Sequence, residues 1–237
     1  MCGRFAASAS TEDIIETFQV ELVVDEVEPT YNAAPTDPVP AVLERIDKES
    51  GRAVRKLVTP RWGLVPSWSR DPRGGARMIN ARAETVASKP AYAKAFASRR
   101  CLIPADGFYE WTPAPGPGGK PAKQPWFIRP SGGGLFVMAG LYEFWKDPSP
   151  RGGAAWLTTC TIITTRATDA LGHIHDRMPM AVLPENWADW LDPHLTDPQQ
   201  ALPLLHASEG AEMETFAVSP LVNSVRNDGP DLLRPLG

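Results

Sequence analysis

The chain has 237 residues, 43% hydrophobic and 22% charged, with a formal charge of −4. That is globular composition with enough length for a core of its own, and it excludes a disordered, collagenous or coiled-coil chain. No run of about 18 apolar residues is present, and the start MCGRFAASASTED lacks the basic-then-apolar order of a secretory signal, so neither a membrane span nor a leader is expected. Cys2, Cys101 and Cys160 are too few and too far apart for a disulfide framework or a CxxC zinc site, so a reducing cytoplasm is expected.

In chain order, Ser10-Thr11-Glu12-Asp13 followed by Ile14, Ile15 and Phe18 predicts a capped, short amphipathic helix. Residues 29–41 are Pro-rich and predict an extended loop. Arg55–Val58 predicts a strand entering the turn Trp62-Gly63-Leu64-Val65-Pro66, and 69–77 predicts a flexible loop. Residues 90–99 predict a helix with Tyr92 and Phe96 on one face. A strand at Cys101–Ile103 then turns through Pro104-Ala105-Asp106-Gly107 into Phe108-Tyr109-Glu110-Trp111. The Pro/Gly/Lys stretch 113–125 predicts an exposed hairpin connection, followed by strands at Trp126–Ile128, Leu135–Tyr142 and Trp156–Thr165. Met180–Leu183 predicts a further strand. Pro184 opens a helix holding Trp187 and Trp190, and a short helix near Pro198–His206 and a strand at Thr215–Val218 complete the body. Twenty-five prolines, about twice the usual share, fit many short elements joined by rigid turns. The expectation is an α+β single domain, mainly antiparallel, over 1–237, with its core at about 2–230 and exposed loops at about 69–77 and 113–125.

Charge is unevenly spread. Residues 51–100 hold 12 Lys/Arg against Asp71 and Glu84, while residues 11–30 hold seven acids and no base. Nine of those twelve are arginines, interleaved with Trp62 and Trp68. Cations that track phosphates beside rings that stack on bases are the chemistry of single-stranded nucleic acid; a merely solvated charged face is the alternative.

Four groups of residues can carry chemistry. Cys2, once Met1 is removed, presents an amine and a thiol on adjacent carbons, and its small side chain favours that removal. With a pKa of about 7.7–8.0, roughly a fifth to a third of such an amine is neutral near pH 7.4. It can form an imine with an aldehyde, on which the thiol closes intramolecularly to a thiazolidine. The alternative is a frayed terminus, against which Gly3 supplies backbone freedom, Arg4 a phosphate contact and Phe5 a core anchor. Asn80, Arg82 and Glu84 share one face if extended, offering an amide and a phosphate contact; an Asx turn opening a helix is equally compatible. Glu110 stands between aromatics, where desolvation raises a carboxyl's pKa and suits it to acid/base work, although a lone Glu is more often on the surface. His175, beside Asp176 and Arg177, can act as acid or base; His173 and His175 could face a metal together, but no third ligand is evident, and a structural histidine is the plain alternative.

Taken together, Met1–Phe5, Trp62–Trp68, Asn80–Thr85, Cys101–Trp111, His175–Pro179 and Asn223–Asp228 resemble the SRAP (SOS-response-associated peptidase) family of abasic-site processing proteins, in the same order along the chain. The resemblance implies an SRAP fold, α+β on a β-barrel-like core, and a sensor of abasic sites in single-stranded DNA. Cys2 would form the thiazolidine crosslink with C1′ of the ring-opened sugar. Glu110 would shuttle protons, His175 would assist and favour reversal, and Asn80 would hold the N-terminus and the opened sugar. Arg4, Arg82 and Arg177 would grip phosphates; Trp62, Trp68 and Trp111 would pack against flanking nucleotides; Pro40 would lie in a loop approaching the strand. The implied protein is a cytoplasmic monomer, nucleoid-associated when bound to DNA, without cofactor or metal. A cysteine peptidase using Cys2, His175 and Glu110, acting on other proteins or only on its own N-terminus, and a non-covalent single-strand binder are the competing readings.

Overall fold

The computed structural model describes residues 2–148, 156–172, 174–206 and 212–236. Its strands are β1 (Phe5–Ala7), β2 (Leu22–Val23), β3 (Thr30–Ala33), β4 (Ala41–Ile46), β5 (Ala53–Val58), β6 (Arg61–Trp62), β7 (Asn80–Arg82), β8 (Arg100–Ala105), β9 (Gly107–Pro115), β10 (Pro121–Pro130), β11 (Phe136–Lys146), β12 (Trp156–Arg166), β13 (Arg177–Pro179) and β14 (Met213–Ala217). The longest helix, α1 (Thr11–Phe18), starts where the sequence predicts: Ser10 caps it and exchanges hydrogen bonds with Asp13 in a capping box.

The strands form two sheets. The smaller runs β14-β10-β9-β1-β3, and the larger runs β13-β12-β11-β8-β4-β5-β2, with β6 and β7 parallel to β12. Pairing is otherwise mainly antiparallel, as expected for the α+β class. The sheets face each other as a sandwich and do not close, so the barrel-like core is corrected to two stacked layers. Alternation along each strand makes the layers. Phe5, Phe108 and Ile128 of the small sheet meet Leu43, Cys101, Ile103, Met138 and Ile162 of the large one. The opposite face of the large sheet, through Val42, Leu102 and Ile163, packs on the helices by way of Ile14, Phe18, Phe96 and Trp190. The opposite face of the small sheet, Ala6, Tyr109 and Phe127, is covered by Val218, Val222 and Leu232 of the C-terminal segment.

Several expectations are corrected. The Pro-rich stretch 29–41 contains β3, paired with β1. Residues 113–125 are mostly ladder, not loop: β9 and β10 pair out to Pro115 opposite Pro121, although the hairpin is exposed as expected, with Pro113, Pro115, Pro121 and Lys123 in solvent. The strand expected at Met180–Leu183 lies earlier, at β13, with Ala181 making an isolated bridge to Met138. The loop 69–77 is pinned. Asp71 caps a 3-10 turn over Pro72–Arg77, and Gly63 lies so close to Gly75 that a Cβ on Gly63, whose φ is +127°, would stand 2.5 Å from the Gly75 carbonyl oxygen. Among the described residues no helix is long and apolar enough to cross a membrane.

Candidate functional site

The site is built around residue 2. Phe5 is fully buried and packs edge-on against Trp62 at 4.9 Å, which draws the start of the chain between the sheets. Cys2 is also fully buried, and its thiol donates weakly to the Arg4 carbonyl, 3.8 Å away. Burial first, and the Glu110 charge second, push the Cys2 thiol pKa far up. The thiol is therefore held protonated, the opposite of an activated thiolate.

Asn80 reaches Cys2 from β7: its Nδ2 donates to the Cys2 carbonyl at 2.7 Å. The ladder to β12 and the Tyr92 hydroxyl, which donates to the Asn80 carbonyl at 3.2 Å, fix the backbone there. Asn80 Oδ1 is buried with no partner among the described residues, an acceptor left open beside Cys2. Glu110 comes from β9 on the same face as Phe108, and is buried. Burial raises its pKa, while neighbouring cationic charge, His175 included, works against that rise. His175 is part-exposed; its Nδ1 accepts from the Arg177 backbone amide at 2.9 Å and stands 3.0 Å from the Asp176 carboxylate. The four residues assigned to the chemistry thus come from four separate segments and are linked by this contact and these charge interactions. His173 lies outside the described residues.

The residues expected to touch nucleic acid divide. Trp68 is 69% exposed on a turn anchored by the Val65 amide on Thr159 Oγ1 (2.9 Å) and by the Trp145 indole on the Ser69 carbonyl (2.7 Å). Arg82 is exposed. Trp111 points to the face of β9 opposite Glu110, under the Arg4 guanidinium at 5.8 Å, with its indole N–H on Asn223 Oδ1 at 2.7 Å. Arg4 also donates to Asn32 Oδ1 (2.7 Å) and the Val222 carbonyl (2.9 Å), so it joins β1 to the C-terminal segment. Trp62 is corrected: it is fully buried, its indole donating to the Ile79 carbonyl at 3.0 Å, and no base can stack on it. Trp62→Ala is expected to lower stability by about 3–5 kcal/mol, read by denaturant unfolding, because it empties the core between the sheets. Pro40 is buried and lines a small cavity together with Glu26 and Glu28. Arg177 is 10% exposed at its side chain and is held by Glu84.

Part of the basic block is engaged by the chain's own acids and carbonyls, with Arg52 and Arg73 in exposed pairs and Arg55, Arg99 and Arg100 in more buried contacts. Arg52 pairs with Glu21, Arg55 with Glu44, Arg73 with Asp71 and Arg99 with Glu143. Arg100 is buried and donates to the carbonyls of Phe96, Ala97, Trp190, Asp192 and Leu195. Asn32, whose Nδ2 donates to the Ser224 (3.0 Å) and Asn227 (2.7 Å) carbonyls, is a support of the site that sequence reasoning missed. It sits in a stretch that reads only as a loop.

An α+β sandwich that gathers a buried cysteine at residue 2, an amide, a buried carboxyl and a histidine defines a class of protein organised around the start of its chain. Residues 1–225 match the profile of SOS response associated peptidase (SRAP), and the chain belongs to that family. The abasic site processing protein YoqW of Bacillus subtilis (strain 168) is 42% identical over 235 residues, covering 98% of this chain and 99% of that one. The abasic site processing protein HMCES of Gallus gallus is 36% identical over 234 residues, covering 88% of this chain and 66% of that one. Among solved structures, a Bacteroides thetaiotaomicron protein superposes with a TM-score of 0.79 at 22% identity over 99% of this chain and 100% of that one, a likeness of fold. A phage-related protein of Bordetella bronchiseptica gives 0.65 at 30% identity over 92% of this chain and 94% of that one.

Proposed function

We propose that this chain processes abasic sites in single-stranded DNA by forming a thiazolidine crosslink through Cys2 after Met1 is removed. The observation that carries the reading is the Asn80 hydrogen bond to the Cys2 carbonyl, which holds residue 2 beside a buried Glu110 whose carboxyl pKa is pushed up by burial. The names of the relatives agree with it.

The chemistry follows from the proton inventory. Glu110 in its acid form donates to the sugar ring oxygen as the C1′–O4′ bond breaks, and the C1′ hydroxyl proton is lost as the aldehyde forms. The neutral Cys2 amine then adds to C1′. The carbinolamine expels its hydroxyl as water, with His175 and Glu110 handling the protons, and an imine remains. The Cys2 sulfur adds to C1′ while its proton passes to the nitrogen. One water leaves overall and no oxidant or reductant is needed. Asn80 Oδ1, the open acceptor, suits a hydroxyl of the opened sugar.

The raised thiol pKa favours this amine-first route over a cysteine peptidase, which needs a thiolate at neutral pH. The test mixes protein with a single strand carrying one abasic site, without borohydride, and reads a denaturing gel and the intact mass. The expected adduct survives heat, is one water lighter than the sum of its parts, and requires loss of Met1. No adduct from protein whose mass shows Met1 gone overturns the reading.

Trp68, exposed on its pinned turn, serves as a stacking platform in this reading. Trp68→Ala is expected to weaken single-strand binding by about 1–3 kcal/mol, with thermal stability unchanged. Fluorescence titration beside a melting curve checks both halves.

A further inference from the structure

The start of β8 leaves a gap in the large sheet. β8 lies between β4 and β11, but its pairing with β11 begins at Arg100, opposite Leu141, and it meets β4 where Leu102 stands opposite Val42. Beyond that level β4 and β11 run on to Ile46 and Lys146 with no strand between them. A cleft of about 280 Å³ opens there, with Arg45, Ser98, Arg99, Tyr142 and Phe144 among its walls. It shares no residue with the cluster around Cys2.

Two polar groups of the cleft stand without an acceptor or a donor. Tyr142 is 1% exposed, its ring edge-on to Phe144 at 5.6 Å, and its hydroxyl has no hydrogen-bond partner among the described residues. Buried phenols ordinarily find one. Burial pushes the Tyr142 pKa up to about 12, so the group is a donor at neutral pH. Arg45 is exposed at the rim with its guanidinium 4.8 Å from the centre of the Phe144 ring, and among the described residues it meets no carboxylate and no acceptor. The acids nearby are already engaged. Glu44 accepts from Arg55 Nε (2.8 Å) and Nη2 (2.6 Å), and Glu143 accepts from Arg99 Nη2 and from the Phe144 amide, both at 2.9 Å. Arg100 is held by carbonyls, with Asp192 acting on it only through its charge. The positive charges of Arg45, Arg99 and Arg100 all act on the phenol. Arg45 and Arg100 thus leave the cleft about two positive charges in excess, facing donors and few open acceptors. That setting suits a small dianion whose oxygens only accept.

We infer that this cleft is an oxyanion site that takes a phosphoryl group, with the Tyr142 hydroxyl donating to it from within and the Arg45 guanidinium from the rim. A small phosphorylated molecule and the terminal phosphate of a nucleic-acid strand both supply that chemistry.

The test uses the full chain as wild type, Tyr142→Phe and Arg45→Gln. Inorganic phosphate is titrated at constant ionic strength, and backbone amide shifts and the melting temperature are read. In the wild type the shifts are expected to saturate and to gather on residues 44–46, 98–100 and 142–144, and the melting temperature to rise with phosphate. Each substitution is expected to weaken binding about 10-fold or more, the worth of one hydrogen bond to a charged group. Tyr142→Phe is the sharper arm. It keeps the ring and removes a hydroxyl that the fold does not use, so without phosphate the variant is expected to melt no lower than wild type. A hydroxyl kept for structure would lower it. Should Tyr142→Phe fail to fold, Arg45→Gln, at an exposed side chain, carries the test. The inference is overturned by shifts that do not saturate or that gather on other basic surfaces, by equal phosphate affinity in wild type and variants, or by a Tyr142→Phe variant that only loses stability. Two single strands of one sequence, ending in phosphates or in hydroxyls, separate the sources. A preference of about 10-fold for the phosphorylated strand that Arg45→Gln abolishes assigns the site to strand ends. Equal affinity for the two strands beside saturable inorganic phosphate assigns it to a small molecule.

Discussion

Cys2→Ser is expected to remove the heat-stable adduct while leaving single-strand binding in place. The amine is retained, so an imine still forms and borohydride still traps it. What is lost is closure by sulfur, which benefits from an effective concentration on the order of 10⁵–10⁸ M for a well-oriented neighbour. We expect unreduced adduct to fall by roughly two orders of magnitude or more on that account. The substitution is mild for the fold, because the Arg4 carbonyl that faces the thiol also accepts from a hydroxyl. A denaturing gel run with and without borohydride separates the outcomes. Undiminished adduct without reductant would show that sulfur takes no part, and loss of both adducts would place the defect before imine formation.

Glu110→Gln should slow adduct formation by about 10²–10⁴-fold, the usual contribution of a positioned acid/base group. The same change should make the protein more stable under alkaline conditions. Burial raises the Glu110 pKa in the folded chain, so the folded state prefers the protonated carboxyl. The stability this confers is fully present below the ordinary carboxyl range and is lost as pH rises through the folded pKa, where the buried group must ionise. Glutamine removes that ionisation. The variant should therefore melt higher than wild type near pH 8, by about 2–4 °C if the gain is ~1 kcal/mol for a chain of this size, and lose the advantage near pH 4. A variant less stable than wild type near pH 8 would mean that ionised Glu110 is a net stabiliser through its cationic neighbours. Slower chemistry joined to a more stable fold is the signature of a residue kept for reaction rather than for folding.

Elements defined by near neighbours were legible in the sequence, and elements defined by distant ones were not. Ser10 and Asp13 cap α1 through bonds three residues apart, so the helix start could be read directly. β4 escaped notice because Ala41, Val42 and Leu43 are all buried, between the central core on one face and the helices on the other, which erases the alternation a half-buried strand shows. β3 was hidden by the prolines around it. Trp62 and Trp68 belong to one motif six residues apart, yet one fills the core and the other stands in solvent. Residue type alone could not separate them, because the contacts that hold Trp62 on Phe5 and the Ile79 carbonyl, and that anchor the Trp68 turn on Thr159 and Trp145, come from distant parts of the chain.

The charge block shows the same division. Twelve bases against two acids in residues 51–100 is a fact of sequence. That Glu21, Glu44 and Glu143 fold back to neutralise three of those bases is a fact of tertiary structure, since opposite charges cancel through space and not along the chain. The sequence by itself determined the reactive vocabulary: a cysteine at position 2, a glutamate among aromatics, an asparagine and a histidine in recognisable settings. Only the tertiary structure decided their protonation and partners. It put the Cys2 thiol and Glu110 out of water, which drives both toward their protonated forms. It placed Asn80 on Cys2, and it turned Arg177 toward Glu84 across a strand separated from both by many residues in the chain. Desolvation and hydrogen bonding depend on which surfaces are removed from water together, and that is settled when the two sheets close on each other.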